Sequence, residues 1–346
     1  MILDEAHLYR LLNSMKSYNI DDSFEIHFEK QFLVPYSGIE DVEQQYPEFG
    51  GDSIYMIFQT DRLELTKILF DHDPPAFEYR NTATGHTDRL GNLWFFPHPI
   101  RKEALHMEIV SGLFLEVGIR EAWLKAFPQL GKYTPVKISI YDLITQSQRD
   151  FETASEYQLL YIGASRNVYQ RLKNHKTILK IYRDMALFQP NKELFVWLLK
   201  PKSKLYKYDG DDRKSLLLSS SVWYKDGALG MDVDPEGLLF IAEAILINYF
   251  KPEYNEQYVN KLPSSSHVVY SKLREQCVKN LQVNLNLFMP PQKMLLSLKT
   301  ETVNTGAAKH ISLYGALEDL EKSPTESIIS CDVMPDELYS LFIGDS

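Results

Sequence analysis

The stretch from Tyr161 to His175, YIGASRNVYQRLKNH, brings a tyrosine, an arginine and a histidine to one strand-to-helix corner. Tyr161-Ile162-Gly163 ends an apolar run that reads as a strand, and Arg171 and His175 follow on a helix. Residues four apart share a helix face, so the guanidinium and the imidazole are expected to point together. Glu243 is a second anomaly, a single carboxylate inside PEGLLFIAEAILINYF, whose apolar positions run nearly all the way round. A helix of that kind belongs in a core, where a carboxylate is strongly disfavoured unless it is paired or holds a metal. Pro252 stops the helix and Asn255 follows, so a carboxamide stands just beyond the carboxylate.

The charge around this corner suits an anionic partner. The whole chain is acidic, with 37 basic and 47 acidic residues, but the balance is uneven along it. Residues 1–135 hold 12 basic and 21 acidic side chains, whereas 166–207 hold 11 basic and only two acidic ones. Arg166, Lys173, Lys176 and Lys180 lie in this run, which has the size expected of a phosphate-backbone footprint. Aromatic residues nearby, among them Trp197, Tyr206, Tyr208 and Trp223, offer either base-stacking surfaces or core packing.

The elements that must position these groups divide the chain into three. Residues 1–135 read as an acidic mixed α/β accessory domain: a helix at 3–17, strands in FEIHFEKQFLV and SIYMIFQT, a turn-rich connection from 71 to 92, and a helix over 101–127. Residues 136–260 open with two strands, VKISIYDLI and YQLLYIG, expected to form an extended hairpin. They continue with a helix over 167–186, a strand in ELFVWLLK and the Glu243 helix, which Asp234 and Pro235 begin. Residues 261–346 form a C-terminal accessory segment with a helix at 268–281, strands in MLLSLKTETV and HISLYGAL, and a poorly ordered tail.

Taken in order, these motifs resemble the GIY-YIG nuclease superfamily. Tyr161-Ile162-Gly163 matches its second motif, Ser165, Val168 and Arg171 fall at the family's following positions, and His175 stands where several members have histidine. Glu243 looks like the family's metal-binding glutamate, and Asn255 like the asparagine that closes the set. The first motif is represented by Ser139-Ile140-Tyr141, with serine in place of glycine and a longer interval before Tyr161 than the family has. A longer turn can absorb the interval, since loop closure costs grow slowly with length. The resemblance covers roughly residues 137–257.

The resemblance implies an α+β fold: a small antiparallel sheet with flanking helices, set between the N-terminal mixed α/β and C-terminal α+β segments. It implies a Mg²⁺- or Mn²⁺-dependent endonuclease that hydrolyses phosphodiesters, DNA before RNA, in restriction, defence, mobility or repair. Glu243 would hold the metal with waters completing its shell, and Arg171 would clamp the scissile phosphate. Tyr141 or Tyr161 would take the proton from water, its pKa lowered by Arg171, His175 and the metal, and Asn255 would hold its neighbours in place. The competing class is an inactive nucleic-acid-binding or structural protein that keeps the fold.

Composition narrows the setting. Two cysteines, Cys277 and Cys331, exclude a disulfide framework and a cysteine-based zinc knuckle, which suits a reducing cytoplasm. No run approaches a membrane span, and the opening MILDEAHLYRLLNSMKSY lacks the basic start and apolar core of a signal peptide. The acidic N-terminal segment is a candidate surface for a protein partner or a cover for the basic run. A homo-oligomer would suit double-strand cleavage.

Overall fold

Seven consecutive residues, Ser53 to Gln59, are buried on both faces, which marks their strand as the middle of a sheet covered on two sides. The computed structural model describes residues 23–72, 75–91, 105–126, 135–147, 155–206, 235–263, 267–275, 280–289, 294–306, 308–316 and 330–333. In chain order its elements are β1 (Ser23–Pro35), α1 (Ile39–Gln45), β2 (Ser53–Asp61), β3 (Leu63–Leu69), β4 (Ala76–Asn81), β5 (Thr87–Leu90), β6 (Leu105–Val110), β7 (Phe114–Ile119) and α2 (Glu121–Ala126). There follow β8 (Val136–Ser139), α3 (Ile140–Ser147), β9 (Ser155–Ser165), α4 (Val168–Asn174), α5 (Lys176–Phe188), β10 (Lys192–Tyr206) and α6 (Pro235–Phe250). The last are α7 (Val268–Glu275), β11 (Asn280–Asn286), β12 (Phe288–Met289), β13 (Met294–Lys299), β14 (His310–Ala316) and β15 (Ser330–Val333).

Nine strands form one mixed sheet in the order β12-β13-β9-β2-β10-β1-β11-β14-β15, and β3-β4-β5 and β6-β7-β8 form two three-stranded sheets. This replaces the small antiparallel sheet with flanking helices expected from the sequence. β1 and β2 from residues 1–135 sit at the centre against β10 and β9, while β11 and β13 from the C-terminal segment pair in parallel with β1 and β9. The large sheet therefore runs through all three sequence segments.

The period-two alternation of β2 and β10 sorts side chains into two cores. Ile54, Met56, Phe58, Phe195, Trp197 and Leu199 join a core with α6, α7 and the small sheets. Tyr55, Ile57, Leu194, Val196 and Leu198 join a second core with α1, α4 and α5. Trp197 is wholly buried in the first core, so it packs and does not stack on bases. Burial of each such large side chain contributes about 1.5–3 kcal/mol.

Several local expectations change. Residues 101–127 were expected to be helical, but Leu105 and Met107 point inward and His106 and Glu108 outward, the alternation of strand β6. The turn-rich stretch after residue 71 contains the β4–β5 hairpin. VKISIYDLI splits into β8 and helix α3, and β8 pairs with β7, so the expected hairpin with β9 does not form. The helix expected over 167–186 breaks at His175, whose φ of −75° and ψ of 125° are extended. The helix expected at 3–17, Tyr208, Trp223 and the C-terminal tail beyond 333 lie outside the described residues. Among the described residues no helix is long and apolar enough to cross a membrane.

Candidate active site

β2 and β9 run antiparallel side by side, with Tyr55 opposite Gly163 and Ile57 opposite Tyr161. A bulge at this point lets both Leu160 and Tyr161 face the second core. The rings of Tyr55 and Tyr161 then lie together, centroids 6.1 Å apart. Gly163 makes this possible: a Cβ there would stand 2.5 Å from Tyr55 Cζ and 3.0 Å from a Tyr161 ring carbon. The glycine of Tyr-Ile-Gly thus leaves room for a tyrosine from the neighbouring strand.

The chain leaves β9 through Ser165 and enters α4, whose N-cap Asn167 accepts the Gln170 N–H at 3.2 Å. Val168, Tyr169 and Leu172 are buried, which turns Arg171 outward at the rim of the tyrosine pair. His175 ends α4 and starts α5, its N–H donating to the Arg171 carbonyl and its carbonyl accepting from Leu179 N–H. Its ring lies over Tyr161 at 5.7 Å. The break between the two helices is what folds the imidazole back onto the sheet.

Beyond the reach of β13, no strand among the described residues lies beside the outer edge of β9 from Leu160 to Ser165. Three groups satisfy its backbone instead. Tyr254 N–H donates to Leu160 C=O at 3.0 Å. The Asn255 carboxamide takes the Ile162 N–H and donates to the Ile162 C=O, both at 2.9 Å. Glu243 Oε1 accepts the Ala164 N–H at 3.1 Å. Asn255 and Glu243 thus act as a substitute strand, and the carboxylate is carried past the sheet edge toward Tyr161 and Arg171.

The electrostatics follow from burial. The Glu243 carboxyl is pushed up to about 7 by desolvation, against the opposing pull of the Ala164 N–H and Arg171. Burial raises the Tyr161 hydroxyl, the Glu243 charge adds to this, and Arg171 offsets only part of it. Tyr55 is raised further by the same cause, and its buried hydroxyl makes no hydrogen bond of good geometry among the described residues. Burial and Arg171 together lower His175 below its ordinary value. At neutral pH the site therefore holds two protonated phenols, a neutral imidazole, a guanidinium and a carboxyl near half-ionised. In the metal-free chain burial thus outweighs Arg171 at both tyrosines, and His175 offers a lone pair.

Tyr161, Arg171, His175, Glu243 and Asn255 converge; Tyr141 does not. It lies on α3, donates to the Asp61 carbonyl at 2.9 Å, accepts the Leu63 N–H at 3.1 Å, and packs edge-on against Phe195. Asp61 is six residues along β2 from Tyr55, roughly 20 Å at strand rise, and Tyr141 belongs to the other core. The residue that sequence reasoning missed is Tyr55. Its signal was present as Ser53-Ile54-Tyr55, the same tripeptide as Ser139-Ile140-Tyr141, preceded by Gly50-Gly51.

The basic run is partly occupied. Lys173 pairs with Glu43 at 2.6 Å, Lys192 with Asp61 at 2.7 Å and Lys202 with Glu29 at 3.6 Å, all acids of the N-terminal segment. Lys180 Nζ lies 5.4 Å from the Tyr254 ring centre, and Arg166 and Lys176 are exposed. Among the described residues no group of three or more His, Cys, Asp or Glu could hold a metal ion. The donor set for a cation at this corner is thus one carboxylate, with Glu243 Oε2 taking no hydrogen bond among the described residues. That set fits a hard cation that keeps most of its waters, as Mg²⁺ does. The chain matches no family model, no curated protein and no solved structure.

Proposed function

We propose that this chain is a divalent-metal-dependent nuclease that hydrolyses phosphodiester bonds, with DNA as its substrate and Tyr55, Tyr161, Arg171, His175 and Glu243 as its working groups. The observation that carries the reading is the Tyr55–Tyr161 pair across Gly163, with Arg171 and Glu243 both close enough to shift Tyr161. The order of Tyr161-Ile162-Gly163, Arg171, Glu243 and Asn255, which resembles that of GIY-YIG nucleases, supports it.

The roles follow from the ionisation states. Arg171 is exposed and always charged, so it binds a phosphoryl oxygen and stabilises the charge that grows there. Neutral His175, its ring tilted against Tyr161, accepts a proton from the attacking water. The Tyr55 and Tyr161 hydroxyls stay protonated and orient oxygens by donating to them. Glu243 would hold a divalent cation, which would supply charge neutralisation at the phosphate and a more acidic water. Asn255 keeps the β9 edge, and with it Tyr161, in register.

Incubation of the purified chain with plasmid, single-stranded DNA and RNA, with and without Mg²⁺ or Mn²⁺, tests the proposal. Cleavage is expected only with metal and is expected to disappear in Glu243→Ala and Arg171→Ala. Equal cleavage by Glu243→Ala would mean the site lies elsewhere. Binding without cleavage under every condition would favour the non-catalytic nucleic-acid-binding class.

A further inference from the structure

A third tyrosine stands in the field of Glu243. Burial raises the Tyr258 hydroxyl and the Glu243 charge adds to it, whereas Arg171, which acts on Tyr161, is not among the causes. Tyr258 therefore meets the carboxylate from a side that Arg171 does not reach. Along α6 from Leu239 to Asn248 only Phe240 and Glu243 escape full burial, and three residues apart they share one face. The Tyr258 ring meets Phe240 edge-on at 5.9 Å, and Phe240 is stacked on His267 at 4.1 Å. The backbone beneath that ring is strained: Tyr258 has a φ of 64°, an outlier for a bulky side chain. Buried Asn248 holds it there, its Nδ2–H donating to the Tyr258 carbonyl at 3.0 Å. Strain of this kind persists only where the surroundings over-determine it, and it collects at functional sites.

We propose that Tyr258 is a positioning residue for the cation assigned to Glu243, its hydroxyl oxygen accepting a hydrogen bond from one of the cation's waters. Among the described residues the Tyr258 hydroxyl makes no hydrogen bond, and Glu243 makes one, to the Ala164 N–H. The two side chains are thus too far apart to bond directly and close enough for charge to act between them, a spacing that suits a hydrated cation. A hard cation with one protein carboxylate keeps most of its waters, and those waters need acceptors. Partners that orient a metal's ligands in this way govern affinity nearly as strongly as the ligands do. The inference rests on the nuclease reading only through the cation at Glu243.

Electron paramagnetic resonance of free Mn²⁺, in titrations of the full chain at about pH 8 where Glu243 is ionised, tests it. The binding lost in Glu243→Gln defines the site against the background of surface carboxylates. Tyr258→Phe keeps the ring and the Asn248 bond, and should weaken that site by about tenfold or more. Tyr254→Phe should leave it unchanged, because the Tyr254 hydroxyl turns to Asp184 at 3.4 Å. Both tyrosines lie on the segment that follows α6, so an equal loss in the two variants would mean a loosened segment and would overturn the contact. Wild-type Mn²⁺ affinity in Tyr258→Phe would overturn the role of Tyr258 alone and leave the nuclease reading in place. Wild-type Mn²⁺ binding in Glu243→Gln would overturn the cation at Glu243, and with it both.

Discussion

Replacing Glu243 by glutamine should make the metal-free protein more stable in mild alkali and insensitive to a pH change that weakens the wild type. The carboxyl titrates at about 7 in the folded chain against a reference of 4.5. Because the folded value is the higher one, the native state holds the proton more tightly than the unfolded chain does. That contribution is fully present below the unfolded value and is lost as pH rises through about 7. The gap between the two values corresponds to about 3 kcal/mol. Glutamine offers the same carbonyl oxygen to the Ala164 N–H and carries no charge, so the variant should lack this slope while keeping the bond. Urea unfolding in EDTA at about pH 5 and about pH 8 measures it. Wild type should lose about 2.5 kcal/mol more than Glu243→Gln across that interval, since pH 5 already lies above the unfolded value. Added Mg²⁺ should restore wild type alone, since a ligand for the charged form stabilises only the protein that can ionise. A wild-type and variant pair with parallel pH profiles would refute the claim that burial governs this carboxyl.

Other substitutions separate positioning from chemistry. Tyr55→Phe should leave stability nearly unchanged, because its hydroxyl makes no hydrogen bond of good geometry, yet lower the cleavage rate at saturating substrate. Tyr141→Phe should do the reverse, costing about 1–2 kcal/mol for two lost bonds with cleavage intact; a melting curve and a rate for each variant decide it. Asn255→Ala strips the Ile162 N–H and C=O of their partners and should cost about 2 kcal/mol, seen as faster amide exchange at Ile162. Gly163→Ala drives a methyl into the Tyr55 ring and should lower the melting temperature more than Asn255→Ala does; an alanine variant as stable as wild type would show that the two rings do not meet across that glycine.

Local features of the site were legible in the sequence, and its long-range partner was not. Tyr161-Ile162-Gly163 announced the strand, although β9 runs on past the glycine to Ser165, the helix carrying Arg171 followed, and the lone carboxylate in PEGLLFIAEAILINYF singled out Glu243. These signals depend on neighbours a few positions away. The choice between two Ser-Ile-Tyr tripeptides does not, because sheet register is set by which strand supplies the complementary face. Nearness in sequence favoured Tyr141, whereas β8 found its partner in β7 and left β2 to lie against β9. The pKa directions were equally out of reach. Sequence shows that Arg171 is near Tyr161, but only the packed cores show that desolvation outweighs it. The fold class failed for a related reason: β1, β2, β11 and β13 were assigned to separate segments although their edges complete one sheet.

The pairing of β2 with β9 sets an order on the birth of the protein. Tyr55 is synthesised early and Glu243 late, with the small sheets and α3 made in between. A chain still emerging holds β2, the apolar run SIYMIF, with both of its edges waiting for β9 and β10. Such a segment is prone to pair with another chain while it waits. The same delay means that the groups of the candidate site are not together until residues 53–255 have left the ribosome, so the emerging chain passes through its aggregation-prone stage before that site exists.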